Sequence, residues 1–168
     1  LWGSCYAVIP LYVYSVMYST GSQSREHETG HGTAFKTKAL NKFFFELTSF
    51  MVLRESFLRT KSHDTHHLHT IIIARDPEIV TPVPPDYRAL LINLFMVDRC
   101  TRGLKDTTIH ALNLLTKKDR QSGRTALPVG AARKARLWLF ILAGTVASSL
   151  YLSSWLPVLL IGPLPTMF

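Results

Sequence analysis

The sequence predicts a mainly α, integral membrane helical protein, with transmembrane helices around a cytosolic helical cap that carries clustered histidines. Three observations predict it. The 19 Lys and Arg and 11 Asp and Glu give a net charge of +8, yet Leu1 to Thr20 and Leu137 to Phe168 carry no charge at all. Two apolar ends around one polar middle is the partition of a membrane protein. The basic surplus then reads as positive-inside bias and attraction to anionic headgroups. Finally, six of the seven histidines fall in two clusters of the polar middle, and both clusters have helical spacing.

The chain reads as a single domain over residues 1–168. Leu1 to Ser19 is about 28 Å long as a helix, close to the roughly 30 Å hydrocarbon core, so residues 1–20 are expected to form a transmembrane helix. Its tyrosines and Trp2 suit interfacial rings. Thr20 to Ser24 reads as an exit loop into a cap over residues 21–136. Within the cap, Leu40 to Leu58 is apolar but interrupted by Lys42, Glu46, Arg54 and Glu55, which predicts a helix lying in the interface. Ile71 to Ala74 is a short β-favouring run, and Arg75-Asp76-Pro77-Glu78 is a turn. Pro82, Pro84 and Pro85 form an extended connector.

Asp86 is a plausible N-cap for an amphipathic helix marked by Tyr87, Leu90, Leu91, Leu94 and Phe95. Leu104, Thr108, Ala111, Leu112 and Leu115 mark another. His110 falls off that stripe and is expected at the surface. Lys117 to Arg124 is a polar hinge. Arg133, Lys134 and Arg136 then form a basic collar before residues 137–168. These last 32 residues would reach roughly 48 Å as one helix, which predicts a truncated transmembrane hairpin turning at Ser153-Ser154-Trp155.

Nucleic acid is excluded as a partner, because the basic residues are dispersed and lack an aromatic or Gly-rich binding signature. Cys5 and Cys100 provide no disulfide framework, consistent with a cytosolic middle. The chain lacks an initial Met and a basic n-region, and it stops within apolar sequence, so a fragment is expected.

The chemistry rests on the histidines. His63, His66 and His67 stand at i, i+3 and i+4, and His27 and His31 at i, i+4, so each set shares one helix face. Each neutral imidazole offers one nitrogen lone pair, and three on one face is metal-ligand geometry. A solvated histidine-rich loop would have the same composition without that shared spacing. On ligand type alone iron, zinc, copper and nickel all fit. Five ring nitrogens exceed one tetrahedral site and point to two metals, or to one metal with spare ligands. His69 lies on another part of the turn, where it would hydrogen-bond a ligand or sit at the surface. Glu28 and Asp64 are candidate partners that would orient a ligand imidazole. Asp76 is a third such candidate, read first as a turn residue.

H-E-T-G-H from His27, followed by H-D-T-H-H from His63 between flanking apolar spans, resembles the membrane-bound fatty acid desaturase superfamily. The segments HGTAFKTKALN and HTIIIARDPEI are similar to one bacterial-type branch of it. The resemblance covers nearly the whole chain. It implies a non-haem diiron oxidoreductase that uses O₂ and two electrons to introduce a double bond into an acyl chain, with O₂ reduced to water. It implies His27, His31, His63, His66 and His67 as ligands of two iron ions. It further implies four transmembrane helices, an apolar tunnel, a membrane lipid or acyl substrate, and an electron donor such as cytochrome b5 or ferredoxin. The boxes would lie on the cytosolic side of the endoplasmic reticulum or of a bacterial inner membrane. The family's third box, HxxHH, has no counterpart: the sole histidine after His69 is His110. That fits a truncated chain, and an inactive copy is the other outcome. A lipid or carotenoid hydroxylase or ketolase of the same iron class, and a non-catalytic membrane metal-binding protein, are the competing functions.

Overall fold

Helix α1 (Val8–Gly30) is followed by α2 (Lys38–Met51) and α3 (Ser56–His69). After them come α4 (Val97–Ala111), α5 (Lys117–Gln121), α6 (Ala131–Tyr151) and α7 (Leu156–Leu160), with short 3-10 turns at Cys5–Ala7 and Leu164–Met167. The computed structural model describes residues 4–72, 75–78, 84–88, 91, 97–121 and 123–167. Pro82 of the expected connector, the end of the Ile71 to Ala74 run and most of the Tyr87 to Phe95 helix lie outside those residues.

The expected exit loop at Thr20 to Ser24 is helix, and α1 runs through it to the first histidine cluster. Hydroxyl groups make this possible by bonding locally instead of breaking the helix. Thr20 Oγ1 donates to the Val16 carbonyl at 2.7 Å, and Gln23 Nε2 to Ser19 Oγ at 3.0 Å. The phenols of Tyr14 and Tyr18 donate to the carbonyls of Leu160 and Gly162 at 2.6 and 2.9 Å, which ties α1 to the end of the chain.

The mainly α part of the predicted fold stands, but its integral membrane part does not. Among the described residues no helix is long and apolar enough to cross a membrane. In α1 the charge-free stretch within the helix, from Val8 to Ser24, is diluted by five serines and threonines, and Arg25, Glu26 and Glu28 follow in the last two turns. In α6 the first two turns hold Arg133, Lys134 and Arg136, which leaves Leu137 to Tyr151, roughly 22 Å of helix. The chain then turns at Leu152 to Ser154, with Ser153 at φ 47°, and α7 has five residues. The turn falls where the hairpin was expected to turn, without a second spanning arm.

The expected single helix over Leu40 to Leu58 is two helices, α2 and α3, joined by a bend at Val52–Glu55. Leu53 there has φ 48°, a left-handed conformation that costs a β-carbon-bearing residue energy. It is buried with Phe50 and Trp138, against which Ile141 and Leu142 pack. The rings of Phe50 and Trp138 meet edge to face at 5.7 Å. Helix α4 crosses the bend at Gly103, where an added Cβ would lie 2.4 Å from the Leu53 carbonyl oxygen. On the other side Lys134 Nζ reaches Glu46 Oε2 at 2.9 Å and Ser56 Oγ at 2.6 Å, joining α6 to α2 and α3.

His110, expected at the surface, is fully buried. The buried face of α4 is Cys100, Thr107, His110 and Ala111. Leu104, Thr108 and Leu112 of the expected stripe are exposed, because the helix ends at Ala111 and packs on its small residues. His110 Nδ1 bonds Glu55, and Nε2 bonds Asp119 Oδ2 at 2.8 Å. Asp119 also accepts from Thr116 N and Oγ1, at 2.9 and 2.6 Å. Burial alone would lower the His110 pKa. The two carboxylates outweigh it and raise the pKa, so the ring bridges them as an imidazolium.

His110→Ala leaves both carboxylates buried without their cation and is expected to cost about 3–5 kcal/mol of stability. The sign of its pH dependence follows from the raised pKa. Such a histidine contributes its full stability below its ordinary value of about 6.5 and loses it as pH rises through the native value. Denaturant midpoints of parent and variant are expected to differ most at about pH 6 and to converge on raising the pH. A difference that does not change with pH would show a neutral ring.

Candidate metal centre

The last turn of α1 sets the first histidine pair. The Thr33 and Gly32 N–H groups donate to the Glu28 and Thr29 carbonyls at 3.2 and 3.0 Å. This is a Schellman ending, and Gly32 supplies the left-handed residue at φ 71°. His27 and His31 therefore lie one turn apart at the very end of the helix, their rings edge to face with centroids 4.7 Å apart. Buried Asn41 folds the loop that follows. Its side chain donates to the carbonyls of Gly32 and Phe35 at 2.9 and 2.6 Å and accepts the Phe35 N–H at 3.0 Å. Phe45 of α2 packs on Gly30, where a Cβ would stand 3.1 Å from the ring.

Against this pair α3 brings its own face. One ring nitrogen each from His27, His31, His63 and His67 lie together within 4.8 Å. His31 Nε2 is 3.0 Å from His63 Nε2 and 3.3 Å from His67 Nε2, and His63 and His67 are 3.1 Å apart. Three nitrogens about 2.1 Å from one shared cation, at angles near 90°, subtend edges of about 3 Å. The triangle thus fits a metal ion, and lone pairs facing each other at this distance repel without a cation between them. His63 is buried, while His27, His31 and His67 are exposed. Desolvation, with the His31, Arg59 and His67 charges, holds His27 below the usual imidazole value. Desolvation and then Arg59 do the same for His63. Both shifts favour the neutral form that a metal requires.

His66 is outside this group of four. Its Nδ1 lies 2.9 Å from both Asp76 carboxylate oxygens. Asp76 is buried and also accepts the N–H groups of Ile71 and Glu78, at 3.0 and 2.9 Å. His63 Nδ1 is 3.3 Å from Glu78 Oε1. Glu78 pairs with Arg59 and lies 3.8 Å from Arg54, and Arg59 Nε is 3.5 Å from Glu26 Oε2. Burial opposes ionisation of Glu78, but Arg59, His63 and Arg54 hold its carboxyl below its ordinary value.

Glu28 pairs with Arg25 at 2.5 Å. Asp64 lines a small cavity with Glu26, His27, His31, Arg59 and His63. His69 is half-buried at the end of α3 and is not among the four clustered histidines. Sequence reasoning missed Glu78 and Glu26; Asp76, read first as a turn residue, both accepts the Glu78 N–H across the turn and meets His66. The signal for Asp76 and Glu78 was present as two carboxylates in one turn, a few residues beyond a histidine face. Glu26 had only its place beside His27.

The chain matches the family model described as Fatty acid desaturase over residues 4–168. It belongs to the fatty acid desaturase family. No curated protein and no solved structure matches it. Family membership carries a desaturase- or hydroxylase-type oxidoreductase function in lipid metabolism, with lipid substrates and electron donors in general. The family uses diiron, and the four-histidine cluster offers donors of the right kind for it.

Site binding energies of about 10–16 kcal/mol shared over four ligands make each ligand worth a hundredfold or more in affinity. His31→Ala and His63→Ala are each expected to weaken cobalt(II) binding at least that much by optical titration. His69→Ala is expected to leave it within about twofold.

Proposed function

We propose that this protein is an O₂-dependent acyl desaturase, with two irons held by His27, His31, His63 and His67 together with His66. The observation that carries the reading is the convergence of the two histidine boxes, which lie on separate helices, at one point. Bound iron would supply activation of O₂, which side chains alone do not provide well. In the overall reaction the acyl chain gives up two hydrogens, that is two electrons and two protons, while a donor protein supplies two more electrons and solvent two more protons. Together they reduce O₂ to two waters, and the acyl chain gains one double bond.

The chain's own residues would hold and orient the reactants. A groove lined by Phe45, Phe57, Thr60, Val129 and Leu137 adjoins the small cavity at the histidines, and Phe45 and Thr60 border both. Its apolar residues suit an acyl chain, and the Glu46–Lys134 ion pair also lines it. Lys42 and Arg133, exposed at its rim, suit an anionic head. Phe45 thus serves twice, packing the end of α1 and walling the groove.

The test is purification with iron, supply of a reductase, ferredoxin and long-chain acyl substrates, and mass spectrometry of the products. About two irons per chain and a product lighter by two hydrogens are expected, both lost in His63→Ala. A product heavier by one oxygen would instead assign a hydroxylase. Stoichiometric zinc with no iron would sink the reading.

A further inference from the structure

Two histidines of α3 aim the same ring nitrogen, Nδ1, at one four-residue turn. His66 Nδ1 meets Asp76 at 2.9 Å and His63 Nδ1 meets Glu78 at 3.3 Å. The histidines are i, i+3 on the helix, and the carboxylates are i, i+2 around Pro77. Neither carboxylate is loose. Asp76 is fixed by backbone N–H groups from both ends of its loop, at Ile71 and Glu78. Glu78 is held by Arg59, which stands one helical turn before His63 on the same helix.

We propose that Asp76 and Glu78 are positioning residues that clip His66 and His63 in one tautomer, with Nδ1 protonated and Nε2 bare. A neutral imidazole has one N–H donor and one acceptor nitrogen. An ionised carboxylate only accepts, so a ring nitrogen that faces it must carry the proton. The other nitrogen then presents its lone pair. For His63 that nitrogen is the Nε2 standing 3.0 Å from His31 Nε2 and 3.1 Å from His67 Nε2. In the opposite tautomer an N–H would point into the space where these nitrogens converge and block it.

The clip also fixes ring orientation. Each imidazole is tied at Nδ1 to a group that is itself tied to the backbone or to a guanidinium, so rotation about the Cβ–Cγ bond breaks a charge-assisted hydrogen bond. Arg59 acts at one remove. It pairs with Glu78 and links that carboxylate to buried Glu26, whose Oε1 has no hydrogen-bond partner among the described residues. The turn Arg75 to Glu78 thereby becomes part of the metal centre without touching the space between the Nε2 atoms. The inference rests on the metal-binding reading given above.

Two measurements test it on the whole chain. Long-range ¹⁵N–¹H NMR of the metal-free parent protein at mildly alkaline pH reads the tautomers without mutation. Two rings, assigned by their loss in His63→Ala and His66→Ala, are expected as Nδ1–H, and Nε2–H rings would overturn the proposal. Cobalt(II) titration reads the consequence. Glu78→Gln and Asp76→Asn are each expected to weaken binding about 10–100-fold, the usual effect of removing a ligand's hydrogen-bonded carboxylate. A residue acting only through His63 has little left to lose once His63 is gone, so Glu78→Gln is expected to add less than about twofold in the His63→Ala background. Binding that depends on His63 but survives both carboxylate changes would overturn the clip and leave the metal site standing. No His63-dependent binding in the parent would overturn the metal site, and the clip with it.

Discussion

The structure depends on where α3 begins. A helix advances about 100° per residue, so a slip of one position would turn the His63, His66 and His67 face away from α1. The starting point is set by the bend at Val52–Glu55, not by helix propensity. Leu53 takes a left-handed backbone there, and Gly103 lets α4 sit directly on its carbonyl. Glu55, the N-cap residue of α3, turns its carboxylate to buried His110. Lys134 holds Ser56 from the opposite side. Two helices, α4 and α6, thus agree on one position, and the histidine face inherits its direction from them.

The same region concentrates charge out of water. Glu26, Arg59 and Asp76 are all buried, and Glu78 and Arg54 are half-buried beside them. Desolvating such groups costs several kcal/mol per ion, and mutual attraction offsets that only where the hydrogen bonding is good. A hydrophobic filling of equal volume would stabilise the fold at least as well. The arrangement makes sense as a way to hold imidazoles in a set orientation.

How much of this was legible depends on the range of the interaction. Histidine spacing is local, so the two ligand faces could be read directly from i, i+3 and i+4. Asn41 and Gly32 shape a loop in the segment HGTAFKTKALN that carried the family resemblance, yet their role becomes visible only when hydrogen bonds are traced. His110 was misplaced because its burial comes from partners 55 residues before it and 9 after it, and a lone histidine off an apolar stripe carries no sign of them. Asp76 and Glu78 were obscured by Pro77, which made the segment read as a plain turn. The apolar ends misled for a different reason. Absence of charge was taken as the ability to span a membrane, whereas the charge-free part of α1 is diluted by serines and threonines, and the arm from Leu137 to Tyr151 is followed by only the short α7.

The uneven exposure of the four clustered histidines has a kinetic consequence. His63 is seated beneath the surface on its carboxylate, while His27, His31 and His67 face outward. An ion held there would be reached from solvent without separating the helices, so an external chelator would compete for it at three accessible rings.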